Sequence, residues 1–315
     1  MTVTIAPGIR ETDLGLRPYA RGKVRDIYVV GEDRLLIVAT DRVSAFDVVL
    51  PTPIPDKGKV LNQLSAHWFQ RTQDLVPNHL HSEDLDTFPS ELRAHWDVLA
   101  GRSMLVRRTQ RIDVECVARG YISGSAWAEY RRQGAACGIR LPAGLVESQE
   151  LPQPIFTPAI KASSGHDQNI SFERLVSIVG APLAESLRDA TLSVYRFAAD
   201  EARQRGIIIA DTKMEFGLLP GGPGQPARNE QDGTTGRLIL IDELLTPDSS
   251  RFWAAATYRP GTAPPSYDKQ YVRDFLEQSG WNKEPPAPTL PPEVVTRTRE
   301  KYVDALRHLT GRELR

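Results

Sequence analysis

Two short apolar runs, residues 207–210 and 238–241, each lead directly into charged side chains. This feature constrains the fold more than any other. Both runs read as buried strands. Side chains alternate along a strand, so Asp211, Lys213 and Glu215 share one face if the first strand continues. Asp242 and Glu243 close the second run. Like charges crowded at neighbouring strand ends are costly unless a cation or ligand offsets them. Mg²⁺ prefers one or two carboxylates plus substrate phosphates, which makes Glu215 and Asp242 a plausible metal pair. A structural ion pair around Lys213 is the alternative.

The rest of the chain supplies a frame for these strands. Residues 22–30 and 34–40 flank a turn at 31–33, the pattern of a hairpin. A later pair, 103–108 and 112–118, surrounds 109–111, and Ile112, Val114, Cys116 and Ala118 alternate as on a half-buried strand. Helices are predicted over 58–75 and 126–133, followed by a proline-punctuated connection at 141–158. A longer helix is predicted from Pro182 to Gly206, with Leu183, Leu187, Ala190, Val194 and Phe197 at three- and four-residue steps. The Gly/Pro-rich run at 220–236 reads as a surface loop, and amphipathic helices at 267–278 and 293–309 finish the chain. The expected class is α+β in two lobes: a small strand-rich lobe at 1–111 and a larger mixed lobe at 112–315. A cleft between lobes is the default place for a ligand.

Composition removes several function classes. The 315 residues carry 39 Lys+Arg against 40 Asp+Glu, a net charge of −1. That gives no long-range pull towards nucleic acid or an anionic membrane. No apolar run approaches the ~18 residues of a membrane helix, and the first residues lack the pattern of a signal peptide. Only Cys116 and Cys137 are cysteines, too few for a disulfide framework or a zinc site. The expected home is the cytoplasm.

Five further segments carry candidate chemistry. Gly22 with Lys23 and Arg25 on alternate residues suits an anion, or else is a solvated hairpin face. The run at 40–47, with Asp41, Ser44 and Phe46, is either a polar binding loop or an Asx-type corner with an aromatic plug. After Glu115, Arg119 is followed by Gly120, Ser123 and Ser125, a set that fits a carboxylate or phosphate through the planar guanidinium fork. Residues 161–171 include Lys161, His166 and Asp167; His166 is either an acid–base group or an ordinary hydrogen-bonding residue. Lys269 and Arg273 stand at i and i+4, so both can face one anion.

Read in order, RGKVRDIY, ATDRVSAFDVVLPTPIPDKGKVLNQLSAHWF, VECVARGYISGSAWAEY, SSGHDQNISF, IIADTKMEFG, IDELLTPDSSRFW and SYDKQYVRDFL resemble the SAICAR synthetase family. The chain looks like its longer, roughly 300-residue branch. The resemblance implies a ligase of purine biosynthesis that takes ATP, carboxyaminoimidazole ribonucleotide (CAIR) and L-aspartate. It also implies a kinase-like or ATP-grasp-like N-terminal lobe and a monomer.

Carried over by motif, Lys23, Val24, Arg25, Glu115, Lys161 and Lys213 would serve ATP, and Glu215 and Asp242 would hold Mg²⁺. Arg119, Ser125, Asp211, Arg251, Lys269 and Arg273 would hold the ribonucleotide, with Lys213 and Asp211 closest to the chemistry. Asp41, Ser44, His166 and Asp167 are the candidates for aspartate. The family loop often reads HDEN where this chain has Gln168, which removes a charge there. A small-molecule kinase and a non-catalytic nucleotide sensor are the competing readings. Aspartate-dependent ATP turnover separates the first, and the metal carboxylates argue against the second.

Overall fold

A computed structural model describes residues 8–160, 168–220, 236–267 and 269–315. The first sheet consists of β1 (Pro18–Arg21), β2 (Arg25–Val30), β3 (Arg34–Ala39), β4 (Leu80–Ser82) and β5 (Ser103–Arg107), in the order β1-β2-β3-β5-β4. The expected hairpin is β2–β3, in register from Arg25 opposite Ala39 to Val30 opposite Arg34. Gly31 turns it with φ +63°, a conformation that suits glycine.

After Arg34, β3 is apolar because both its faces are covered. Leu36 and Val38 pack with Leu85, Leu92 and Leu99. Leu35 and Ile37 belong to the cluster that includes Val60, Leu61 and Leu64 of α1 (Lys57–Thr72).

The second sheet is organised around one long strand. β6 (Gln110–Arg111), β7 (Cys116–Tyr121), β8 (Glu150–Phe156), β9 (Ile207–Leu219), β10 (Arg237–Ile241) and β11 (Ser250–Ala254) form it, and β9 is the hub. The first part of β9 lies between β7 and β11, and its second part lies between β6 and β10, antiparallel in every case. The apolar run at 207–210 is therefore only the start of a 13-residue strand that carries Asp211, Lys213 and Glu215 onward.

Segments 103–108 and 112–118 enter different sheets: β5 belongs to the first sheet and β7 to the second. β9 captures the chain between them, pairing Gly217 with Arg111 and accepting the Ile112 N–H at the Phe216 carbonyl. The connection at 141–158 is not all loop, since it contains β8 on the outer side of β7.

Helix α2 (Gly124–Gln133) follows β7, and α3 (Phe172–Val179) leads into α4 (Ala181–Gln204), which packs on β9. Leu183, Leu187, Val194, Tyr195, Ala198 and Ala202 form the buried face of α4. α5 (Gln270–Gln278) and α6 (Pro292–Thr310) close the fold, with α6 packed against α1. Among the described residues, no helix is long and apolar enough to cross a membrane.

Tyr195 joins α4 to the sheet by donating its hydroxyl to the Ile209 carbonyl at 2.7 Å. A Cβ on Gly120 would stand 2.1 Å from that hydroxyl oxygen. Gly120→Ala is accordingly expected to cost about 1–3 kcal/mol, as overpacking does, read as a lower urea midpoint at unchanged slope. An unchanged midpoint would mean that Tyr195 moves aside freely.

Candidate active site

The antiparallel register builds the site. Asp211 on β9 stands directly opposite Arg119 on β7 and opposite Arg251 on β11. Its carboxylate takes a hydrogen bond from each guanidinium at the same oxygen. The Arg119 fork is filled further: Nε donates to Thr157 Oγ1 at 2.9 Å and Nη2 to Ser125 Oγ at 3.2 Å. Burial lowers the Arg119 pKa, and Asp211 opposes that shift. Gly124 has φ +58°, and a Cβ there would lie 2.5 Å from Arg251 Nη2, so glycine is needed for that approach.

Two residues along the same face, Lys213 Nζ bridges Glu115 Oε1 at 3.0 Å and Glu215 Oε1 at 2.8 Å. Burial works against its charge, but Glu215, Asp242 and Glu115 outweigh burial and raise the Lys213 pKa. Glu215 pairs across the ladder with Ile241, so Asp242 is one residue further on. Asp242 sits at φ +69°, a left-handed turn that aspartate tolerates, and ends β10. Its Oδ1 accepts from Arg25 Nη1 at 2.5 Å, while Arg25 Nη2 reaches Glu243 Oε1 at 3.2 Å. Burial pushes the Glu243 carboxyl up, against the pull of Arg25.

Glu115, Arg119, Ser125, Asp211, Lys213, Arg251 and Arg273 line one cleft of about 230 Å³. Lys23, Val24 and Ser44 are not among its lining residues. Lys23 is exposed and pairs with Asp47; Val24 is buried, and its carbonyl accepts the Thr40 N–H at 2.9 Å. Ser44 is half-buried, opposite Val49 in a two-residue ladder. Lys269 approaches Asp248 Oδ1 at 3.7 Å. Lys161, His166 and Asp167 lie outside the described residues, as does the stretch 221–235 of the Gly/Pro-rich run.

Asp41 is a correction. Its side chain is only 1 % exposed, and its oxygens already accept from Ile9 N at 2.7 Å, Gly58 N at 2.9 Å and Arg102 Nη1 at 3.0 Å. Those bonds join the turn after β3 to the N-terminal segment, the start of α1 and Arg102, so the carboxylate serves as a structural tie.

Sequence reasoning passed over Asp248 and Lys57. Asp248 lines the cleft and accepts from the fully buried Lys57 at 2.7 Å. Burial opposes the Asp248 charge, but Lys269 and Lys57 hold its pKa well below the usual carboxylate range. The available signal was a lone acid in the turn Thr246–Arg251, where Thr246 Oγ1 accepts the Asp248 N–H at 3.2 Å. For Lys57 it was the neighbouring Gly58, whose missing Cβ would stand 2.1 Å from the Ala39 carbonyl oxygen.

The fold and site together define an α+β protein with a charge-lined cleft over the centre of an antiparallel sheet. The family profile described as SAICAR synthetase matches residues 18–288. The chain is 52% identical over 308 residues to the phosphoribosylaminoimidazole-succinocarboxamide synthase of Syntrophobacter fumaroxidans, covering 97% of each chain. To the enzyme of that name from Thermodesulfovibrio yellowstonii it is 54% identical over 304 residues, covering 96% of this chain and 99% of the relative. The solved SAICAR-synthase from Saccharomyces cerevisiae, complexed with SAICAR, superposes with a TM-score of 0.85 at 42% identity, over 97% of this chain and 99% of that one. The chain belongs to the SAICAR synthetase family.

Proposed function

We propose that this chain joins L-aspartate to the carboxylate of CAIR in purine biosynthesis, consuming ATP and releasing SAICAR, ADP and phosphate. The observation that carries the reading is the pairing of two charged sets on one face of β9. Asp211 with Arg119 and Arg251 stands two residues from Lys213 with Glu115 and Glu215. One set suits an anionic ribonucleotide and the other a phosphoryl group, side by side on one strand face.

The chemistry follows from the substrate. A carboxylate is a poor electrophile, so one oxygen must first become a leaving group. Transfer of the γ-phosphoryl of ATP gives an acyl phosphate, which the aspartate amine attacks, expelling phosphate. Phosphoryl transfer is largely positioning and charge neutralisation, which cations beside the cleft provide. Lys213 neutralises charge on the transferred group; Lys23, Val24, Arg25, Glu115 and Lys161 serve ATP. The adenine meets backbone between Arg107 and Glu115. Arg119, Ser125, Asp211, Arg251, Lys269 and Arg273 grip the ribonucleotide. Ser44, His166 and Asp167 are the remaining candidates for aspartate.

Glu215 and Asp242 would hold Mg²⁺. Among the described residues, no three His, Cys, Asp or Glu side chains gather into a metal-holding group. Glu215 stands opposite Ile241, the residue before Asp242, and a hard cation takes one or two carboxylates and completes its shell from phosphates and water. The ion would supply neutralisation of charge on the β- and γ-phosphates. Arg25, bonded to Asp242 and Glu243, meets the excess of buried acid there with positive charge of its own.

The reading includes a division into units at 1–111 and 112–315; the chain changes sheet between β5 and β6, a few residues ahead of that boundary. It also includes a monomer in the cytoplasm, where the buried free thiols of Cys116 and Cys137 fit a reducing compartment.

The test is ADP release from Mg·ATP with CAIR, with and without L-aspartate. Aspartate-dependent release matched one-to-one by new amide is the expected result. Release indifferent to aspartate would hand the site to a kinase.

A further inference from the structure

Asp248 stands on the cleft wall with Arg251 and Arg273, but its carboxylate is held from outside both sheets. Lys57, at the start of α1, donates to Oδ2 at 2.7 Å. Tyr302, on α6, donates its hydroxyl to Oδ1 at 2.6 Å. Both side chains are fully buried, and the ammonium lies 5.5 Å from the centre of the Tyr302 ring. Lys269 approaches the same Oδ1 at 3.7 Å, a loose contact. One turn on, the Arg273 N–H donates to the Lys269 carbonyl at 3.0 Å. Helix α6 lies wholly beyond the stretch that the family profile matches.

We propose that Tyr302 is a positioning residue for the ribonucleotide site: by occupying Asp248 Oδ1, its hydroxyl keeps Lys269 from collapsing onto that carboxylate and leaves the ammonium available to an anionic ligand. The inference rests on the ligase reading, which assigns Lys269 to the ribonucleotide. Its physical basis is competition for one acceptor. Lys57 holds Oδ2 from the interior, and at Oδ1 the Tyr302 hydroxyl takes the near position at 2.6 Å while the Lys269 ammonium stands off at 3.7 Å. Removing the hydroxyl leaves a buried lone pair unsatisfied, and Lys269, already 3.7 Å from Oδ1, is placed to fill it. A tightened Lys269–Asp248 pair would then have to break before the ligand could bind. A C-terminal helix thereby tunes one cation beside the cleft wall at Asp248.

The experiment uses Tyr302→Phe, which removes one oxygen and keeps the ring. The probes are SAICAR and ATP, each titrated calorimetrically into the full-length protein, with a thermal melt of every variant. SAICAR binding is expected to weaken by about tenfold, the scale of one hydrogen bond to a charged group, while ATP binding changes less than twofold. In Lys269→Met the same tyrosine replacement should change SAICAR binding by less than twofold, because the competitor is gone. Equal weakening for both ligands, or an undiminished effect in the Lys269→Met background, would reduce Tyr302 to a packing residue and overturn the proposal. Wild-type protein that binds SAICAR yet forms none from CAIR, ATP and aspartate would overturn the ligase reading alone, since the ratio of binding constants still reads the tyrosine. Wild-type protein that binds no SAICAR would overturn both.

Discussion

Glu215→Gln is expected to cut turnover by roughly 10²–10³-fold, the scale seen when one preorganised electrostatic group is removed from a reacting centre. The protein should stay folded. Glu215 is 9% exposed and shares Lys213 with Glu115, so the variant keeps one full counter-charge for the lysine at 3.0 Å. Glutamine also keeps the shape and an acceptor oxygen for the 2.8 Å contact. What is lost is charge, and a hard divalent cation discriminates strongly between a carboxylate and an amide. Turnover should be measured over a range of Mg²⁺ beside a urea titration. Near-normal activity at saturating Mg²⁺ would remove Glu215 from the metal site and leave it as a structural partner of Lys213.

Asp211→Asn should act on the fold as well as on function. Its carboxylate is the common acceptor of two guanidiniums, and Arg119 keeps only 6% of its side chain in contact with solvent. Neutralising the acid leaves that cation buried without a counter-charge, a change that costs about 3–5 kcal/mol. Adding Arg119→Met to the variant should recover much of the loss, because burying neither charge is cheaper than burying one. Urea midpoints of the three proteins check this. A loss below about 1 kcal/mol for Asp211→Asn would mean that water or another acid already screens Arg119. Turnover should fall in both variants, since each loses a residue proposed to hold the ribonucleotide.

Much of this site is legible in the order of the amino acids. Period-two alternation puts Asp211, Lys213 and Glu215 on one face, and β9 keeps them there. The β2–β3 hairpin and the helices α1, α4 and α6 are legible because each has its own periodicity and its own stop signals. Asp41 misleads, since a carboxylate in a polar loop looks alike whether it caps backbone or awaits a ligand. Its three donors come from Ile9, Gly58 and Arg102, and none of them is near it in sequence. The strand partners of 103–108 and 112–118 are hidden for a related reason. Alternation reports that a segment is a strand and carries no information about which strand it joins.

The sequence by itself determined which segments are strands and helices, which residues are available to carry charge, and, by resemblance, the family. Those properties depend on side-chain chemistry and on spacing within a few residues. Only the tertiary structure decided that Asp211 faces Arg119 across a ladder, that Lys213 bridges Glu115 and Glu215, and that Tyr302 reaches Asp248. These contacts join residues tens to nearly a hundred positions apart, or only two apart but on a shared face. Their geometry is set by strand register and helix packing, which the burial of a common core selects, and no local pattern encodes that choice.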